Sequence, residues 1–449
     1  MRAACRALLA LVLRIFFRRI EISGLERVPA SGPIILVLNH PNGLIDPAFL
    51  LCLTPRRVSF LAKAPLLGMP VIGSIARAFD AIPVYRRQDA GSDPAHNRET
   101  FEAARRVLER GGAIAIFPEG GSHSDPKLRP LKTGTARIAL GAAAALGERE
   151  RIRLVPAGLY YRAKRTFRSA ALLHFGAPFM VDPVPLAPGA DPPSGPVRAL
   201  TARIEQALAA VTLQAEQAEA HTLVERALGI FRAATSSAGG QPLAEEFELR
   251  RRFLAGYQVV RERWPARLDR LRARIDRHEA ALRVAGLDPQ HPSARRLTAR
   301  VVARYTLSSV AVLGVLLPAA LGGAVSHYPA YRAVGFVATG IAKGKEDSLA
   351  TVKVLAAMLL FPVTWGGVAF GLALRLDARV GAAALALLPL AGYAALVFFE
   401  RLDRLLGAAR AFTLFVLRRR AFLRFEAERR AIRDEILALS RDLTAVGVG

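Results

Sequence analysis

The chain has 449 residues, room for two or three domains, with 52% hydrophobic residues and a mean hydropathy of +0.26, high for a soluble enzyme. Its formal charge of +26 comes with only 7% aromatics and no arginine run interleaved with stacking residues, which argues against a nucleic-acid reader. An anionic membrane surface fits the charge, with an arginine-rich composition as the plainer alternative; the two cysteines, Cys5 and Cys52, supply neither a disulfide framework nor a metal cluster and suit a cytoplasm-facing location.

Residues 1–20, opening MRAACRALLALVLRIFFRR, have a basic start and an apolar run. Arg14 interrupts the run and no small-residue cleavage site follows, so an interfacial amphipathic helix is expected, anchored by Phe16 and Phe17. Residues 21–210 alternate apolar strands and helices. IILVL at 34–38, AIAIF at 113–117 and RLVPAGLYY from Arg153 read as buried strands; ETFEAARRVLERGG is a helix stopped by Gly111 and Gly112. That alternation predicts an α/β fold with a mainly parallel sheet flanked by helices. The proline-rich loop at 182–196 marks its edge.

Residues 211–304 read as helices rich in Ala, Arg and Glu, interrupted by SSAGGQP at 236–242. Residues 305–400 hold transmembrane segments: Leu307–Val325, Val354–Leu374 and Val380–Phe399 lack Asp, Glu, Lys and Arg, and each approaches the ~20 residues a bilayer span needs. Residues 401–449 form a basic C-terminal helix. The positive-inside rule puts both basic ends in the cytoplasm, which requires an even number of crossings. The expectation is a hairpin through Arg375–Arg379 and a re-entrant first segment, broken by Gly314, Pro318 and Gly322.

The chemistry concentrates in LNHPNGLIDP, residues 38–47. His40 leaves the carboxyl end of a buried strand, where ligands bind in open α/β sheets. The turn Pro41–Asn42–Gly43 lets Asp46 fold back onto it. A histidine held by a carboxylate is a general base for a hydroxyl. The plainer alternative is a polar strand end followed by a helix N-cap at Asp46, with Pro47 at the first helical position.

Three further blocks follow: KAPLLGMPVIGSIARAFDAIPVYRR at 63–87, FPEGGSHSDPKLRPLKTGTARIAL at 117–140 and LVPAGLYY at 154–161. In order, spacing and content the four blocks resemble the glycerolipid acyltransferase superfamily, over about residues 15–210. The resemblance implies His40 as catalytic histidine and Asp46 as its partner. It implies Arg86 as the phosphate contact, and Glu119 and Gly120 as aids to binding glycerol phosphate. Ser122 falls at a small polar position, Lys132 at a downstream lysine, and Val155 and Pro156 on the acyl side. It also implies an acyl-coenzyme A or acyl-carrier-protein co-substrate, a glycerol-phosphate-type acceptor, a lipid bilayer, and no cofactor or metal. Five residues separate His40 from Asp46 where the commonest family form has four. This longer turn resembles the branch of yeast-type glycerol-3-phosphate and dihydroxyacetone-phosphate acyltransferases. A serine hydrolase using Ser122 of GGSHS, and a non-catalytic lipid-binding protein, stand as alternatives. His123 and His174 show no partner in the sequence and are expected on loops or the surface.

Overall fold

The computed structural model describes residues 1–85, 97–164, 166–187, 190–215, 218–235, 242–285, 299–342, 346–417 and 419–445. The chain divides into two compact units. The first holds residues 1–216, 241–251 and 344–351; the second holds 217–240, 252–343 and 352–449. They do not follow the five expected segments one by one, because two helices, spanning residues 243–263 and 346–375, each start in the first unit and end in the second.

The first unit opens with α1 (Arg2–Phe16), which gives way at once to β1 (Phe17–Ser23). There follow β2 (Ile34–Leu38), α2 (Ile45–Leu53), β3 (Val58–Lys63), α3 (Ala64–Leu67), α4 (Pro70–Ala78) and β4 (Ile82–Val84). Next come α5 (Asn97–Glu109), β5 (Ala113–Ile116), α6 (Gly134–Leu146), β6 (Arg153–Tyr161), β7 (Ser169–Phe175), β8 (Phe179–Met180) and α7 (Ser194–Val211). The strands form one eight-stranded sheet in the order β1-β7-β6-β2-β5-β3-β4, with β8 added beside β6. Pairing is parallel except where β6 meets β7 and β8. This is the expected mainly parallel α/β arrangement.

β2 lies between β5 and β6 with all five residues buried, as its unbroken aliphatic run requires of a strand covered on both faces. On one face Ile35, Val37, Ile114, Ile116 and Leu154 pack against Ala104 and Leu108 of α5, Ile138 of α6 and Ile204 of α7. Because β2, β5 and β6 run parallel, the loops after Leu38, Ile116 and Tyr161 share one edge.

Phe16 and Phe17 do not serve as membrane anchors: both are buried. β1 begins at Phe17, so its ring turns inward against Phe49 and Tyr161, at 5.1 and 5.6 Å between centroids. The exposed apolar residues of α1 are Leu8, Leu11 and Ile15.

In the second unit lie α8 (Ala218–Thr235), the later part of α9 (Leu243–Arg263), α10 (Pro265–Val284), α11 (Ala299–Ala342), most of α12 (Glu346–Arg375), α13 (Ala378–Leu417) and α14 (Arg419–Ala445). Leu223 and Ile230 of α8, Val260 of α9, Leu271 and Ile275 of α10, and Ile432 and Ile436 of α14 form one core. Among the described residues three helices are long and apolar enough to cross a membrane: Thr306–Ile341, Thr351–Arg375 and Ala378–Leu406. The re-entrant first segment is not found. α11 runs unbroken through Gly314, Pro318 and Gly322. Only Leu376 and Asp377 separate α12 from α13, as a hairpin there requires.

Candidate active site

At the end of β2, the Asn39 side chain continues the ladder to β6. Its Nδ2 donates to the Leu159 carbonyl (3.1 Å) and its Oδ1 accepts the Leu159 N–H (2.7 Å). His40 therefore leaves the sheet from a fixed point. Its backbone is held on both sides by the loop after β5: the N–H donates to Glu119 Oε1 (3.0 Å), and the carbonyl accepts the His123 N–H (3.0 Å). The imidazole stacks on Phe117, with ring centroids 4.1 Å apart and 20° between planes.

His40 Nδ1 lies 2.8 Å from Asp46 Oδ2. In the neutral ring this contact puts the proton on Nδ1 and leaves the Nε2 lone pair to receive one, the tautomer a general base needs. Asp46 is wholly buried. Its Oδ2 also accepts the Asn42 N–H (2.7 Å), and its Oδ1 accepts the Tyr161 hydroxyl (2.5 Å). Burial first, and the Asp46 carboxylate alongside second, push the Tyr161 hydroxyl well above the usual phenol range. Asp46 is not the N-cap of α2. It sits in the first turn, where a carboxylate favours the helix dipole, and reaches back to close the Asn42 turn. The Leu44 N–H donates to Thr351 Oγ1 (3.1 Å), so the turn also touches the segment of α12 that belongs to this unit.

The loop after β5 turns at Gly120, whose N–H donates to the Phe117 carbonyl (3.1 Å) and whose φ of +76° suits glycine. The aliphatic part of Lys132 passes over Gly120, so these two expected residues meet. The Lys132 side chain is exposed, while the Lys132 backbone N–H donates to the Pro118 carbonyl (2.8 Å). Ser122 is half-buried in the same loop. Glu119 is buried and its carboxylate is engaged within the protein. Besides the His40 N–H it accepts the Arg129 N–H (2.9 Å) and bonds His123 Nε2. Arg86 lies outside the described residues.

Two histidines differ from expectation. His123 is buried against Glu119, and its Nδ1 accepts the Asp125 N–H (3.2 Å). His174 sits within β7, its ring 5.6 Å from that of Phe247; burial, helped by the Arg27 charge, lowers its affinity for a proton. Lys164 was not singled out by the sequence. Its Nζ donates to the Pro41 carbonyl (2.9 Å) and to Ser124 Oγ (2.8 Å), beside the turn that carries His40 and Asp46.

Residues 19–159, which contain this histidine–aspartate pair, match the family model described as Acyltransferase. They form an acyltransferase domain. Among relatives, an uncharacterized acyltransferase of Schizosaccharomyces pombe is 25% identical, covering 80% of this chain and 67% of that one. Glycerol-3-phosphate O-acyltransferase 2 of Saccharomyces cerevisiae is 29% identical over 60% of this chain and 37% of its own length. A chloroplastic 1-acyl-sn-glycerol-3-phosphate acyltransferase of Brassica napus is 30% identical over 27% and 34%. The chain thus spans well under half of the latter two. The sequence brought out His40 and Asp46 and missed His123, Tyr161 and Lys164 as their neighbours. The available signal for His123 was its place four residues after Glu119.

Proposed function

We propose that this chain is a membrane-bound enzyme that moves a fatty acyl group from an acyl thioester to a hydroxyl of glycerol 3-phosphate or 1-acylglycerol 3-phosphate. The observation that carries the reading is the His40–Asp46 contact at 2.8 Å, inside an acyltransferase domain and at the carboxyl end of β2. The named activities of the yeast and Brassica relatives support the acceptor class. The three long apolar helices support work on a membrane.

In this reading His40 Nε2 takes the proton of the acceptor hydroxyl. The oxygen attacks the thioester carbonyl, the carbon–sulfur bond breaks, and the imidazolium returns the proton to the leaving thiolate. Asp46 orients the ring and stabilises its charged form. Arg86 and Lys132, with the Gly120 turn, hold the acceptor phosphate and so place its hydroxyl. Glu119 acts through the backbone of His40. The donor is acyl-coenzyme A or acyl-carrier protein, and the acyltransferase domain faces the cytoplasm, as the basic excess of the chain favours.

The test uses membranes containing the full chain, an acyl-coenzyme A, and each acceptor in turn. His40→Ala is expected to lower turnover by at least roughly 10²-fold, the low end for losing a general base. Near-normal transfer by that variant would overturn the reading.

A further inference from the structure

A carboxylate buried as fully as Asp46 has to be met by donors on both oxygens, or it turns towards whichever side supplies them. Oδ2 is met from within the turn itself, by His40 Nδ1 and the Asn42 N–H. Both partners belong to the same turn as Asp46, so neither ties the carboxylate to a second element. Oδ1 is met from a different element. The Tyr161 hydroxyl donates to it at 2.5 Å, across 115 residues of sequence. Tyr161 is itself anchored. Its backbone pairs with Ala171 of β7, and its ring packs against Phe17 and Phe49 at 5.6 and 5.7 Å between centroids.

We propose that Tyr161 is a positioning residue for catalysis, locking the Asp46 carboxylate to the end of β6 so that Asp46 holds His40 in its productive orientation. This rests on the acyltransfer reading above and assigns Tyr161 to the proton-transfer side of the site, not to the acyl side. Tyr161 does not touch the reacting atoms. Its hydroxyl stays a donor at every working pH because burial beside a carboxylate disfavours its ionisation.

Tyr161→Phe removes the hydroxyl and keeps the ring against Phe17 and Phe49. In membranes containing the full chain, with acyl-coenzyme A and the acceptor that the parent uses, kcat is expected to fall about 10-fold or more, part of the roughly 10²–10⁴-fold that a general base contributes. KM for donor and acceptor should stay within about threefold, because neither substrate contacts the hydroxyl. Retained donor KM also shows that the variant is folded. The deciding measurement is the double variant: in an Asp46→Asn background, adding Tyr161→Phe should cost less than about twofold, since residues acting as a unit are not additive. Multiplying losses in the double variant would overturn the proposal, as would a Tyr161→Phe enzyme with the parent's kcat beside an inactive His40→Ala. If the parent itself transferred no acyl group to either acceptor, the functional reading would fall first and this one with it.

Discussion

At His40 the backbone is gripped as closely as the ring. One carboxylate, Glu119, accepts the His40 N–H and the Arg129 N–H and bonds His123, while His123 returns a backbone bond to the His40 carbonyl. Glu119→Gln keeps the shape and one acceptor oxygen but places an amide N–H₂ where two donors now point. A hydrogen bond to a charged group is worth roughly 1.5–3 kcal/mol. The variant should therefore lose both unfolding temperature and turnover, read by thermal unfolding in detergent and by acyl transfer. Weaker acceptor binding at unchanged stability would instead mean that Glu119 serves the substrate directly. The contact between His40 and Asp46 was legible because six positions and one turn connect them. The contacts of Tyr161 and Glu119 were not, since their partners lie 115 and 79 residues away and only the sheet order brings them together.

Among the elements, β2, β5 and β6 were readable because a strand buried on both faces must be an unbroken apolar run. The end of α1 was not, because FFRR continues an amphipathic helix as well as it begins a strand; pairing of β1 with β7 decides it. A tighter constraint lies between β6 and α7. A Cβ at Gly158 would run into the backbone carbonyl of Val211, which no side-chain rotation can relieve. Gly158→Ala is expected to cost about 1–3 kcal/mol, the range for overpacking a core. Thermal unfolding would record the loss. Because Tyr161 lies three residues further along the same strand, turnover should fall more than stability alone explains. A variant as stable as the parent would show that α7 shifts freely on the sheet.

For the whole molecule the open quantity is the number of complete membrane crossings. Leu271 and Ile275 of α10 share a core with Ile432, Ile436 and Leu439 of α14. The same helices are joined by ion pairs from Arg274 to Glu428 (2.6 Å) and Glu435 (3.1 Å), and from Arg267 to Asp442 (2.6 Å). Charged pairs of this kind belong in water, so α10 and α14 are expected on one side of the bilayer. That demands an even number of crossings, the same parity that the basic charge at both ends requires, yet three helices qualify as spans. The expectation is therefore that an even number of these helices cross completely. α12 and α13, linked by two residues, make a natural pair of crossings. α11, with 44 residues, is roughly 66 Å long at ~1.5 Å per residue, about twice the ~30 Å hydrocarbon core, so it is no simple perpendicular span. Single cysteines at Arg272→Cys in α10 and Arg441→Cys in α14, with Cys5 and Cys52 replaced, test this in sealed vesicles with a membrane-impermeant maleimide. Both are expected to label from the same face. Labelling from opposite faces would mean an odd number of crossings and would break apart the core that joins α10 to α14.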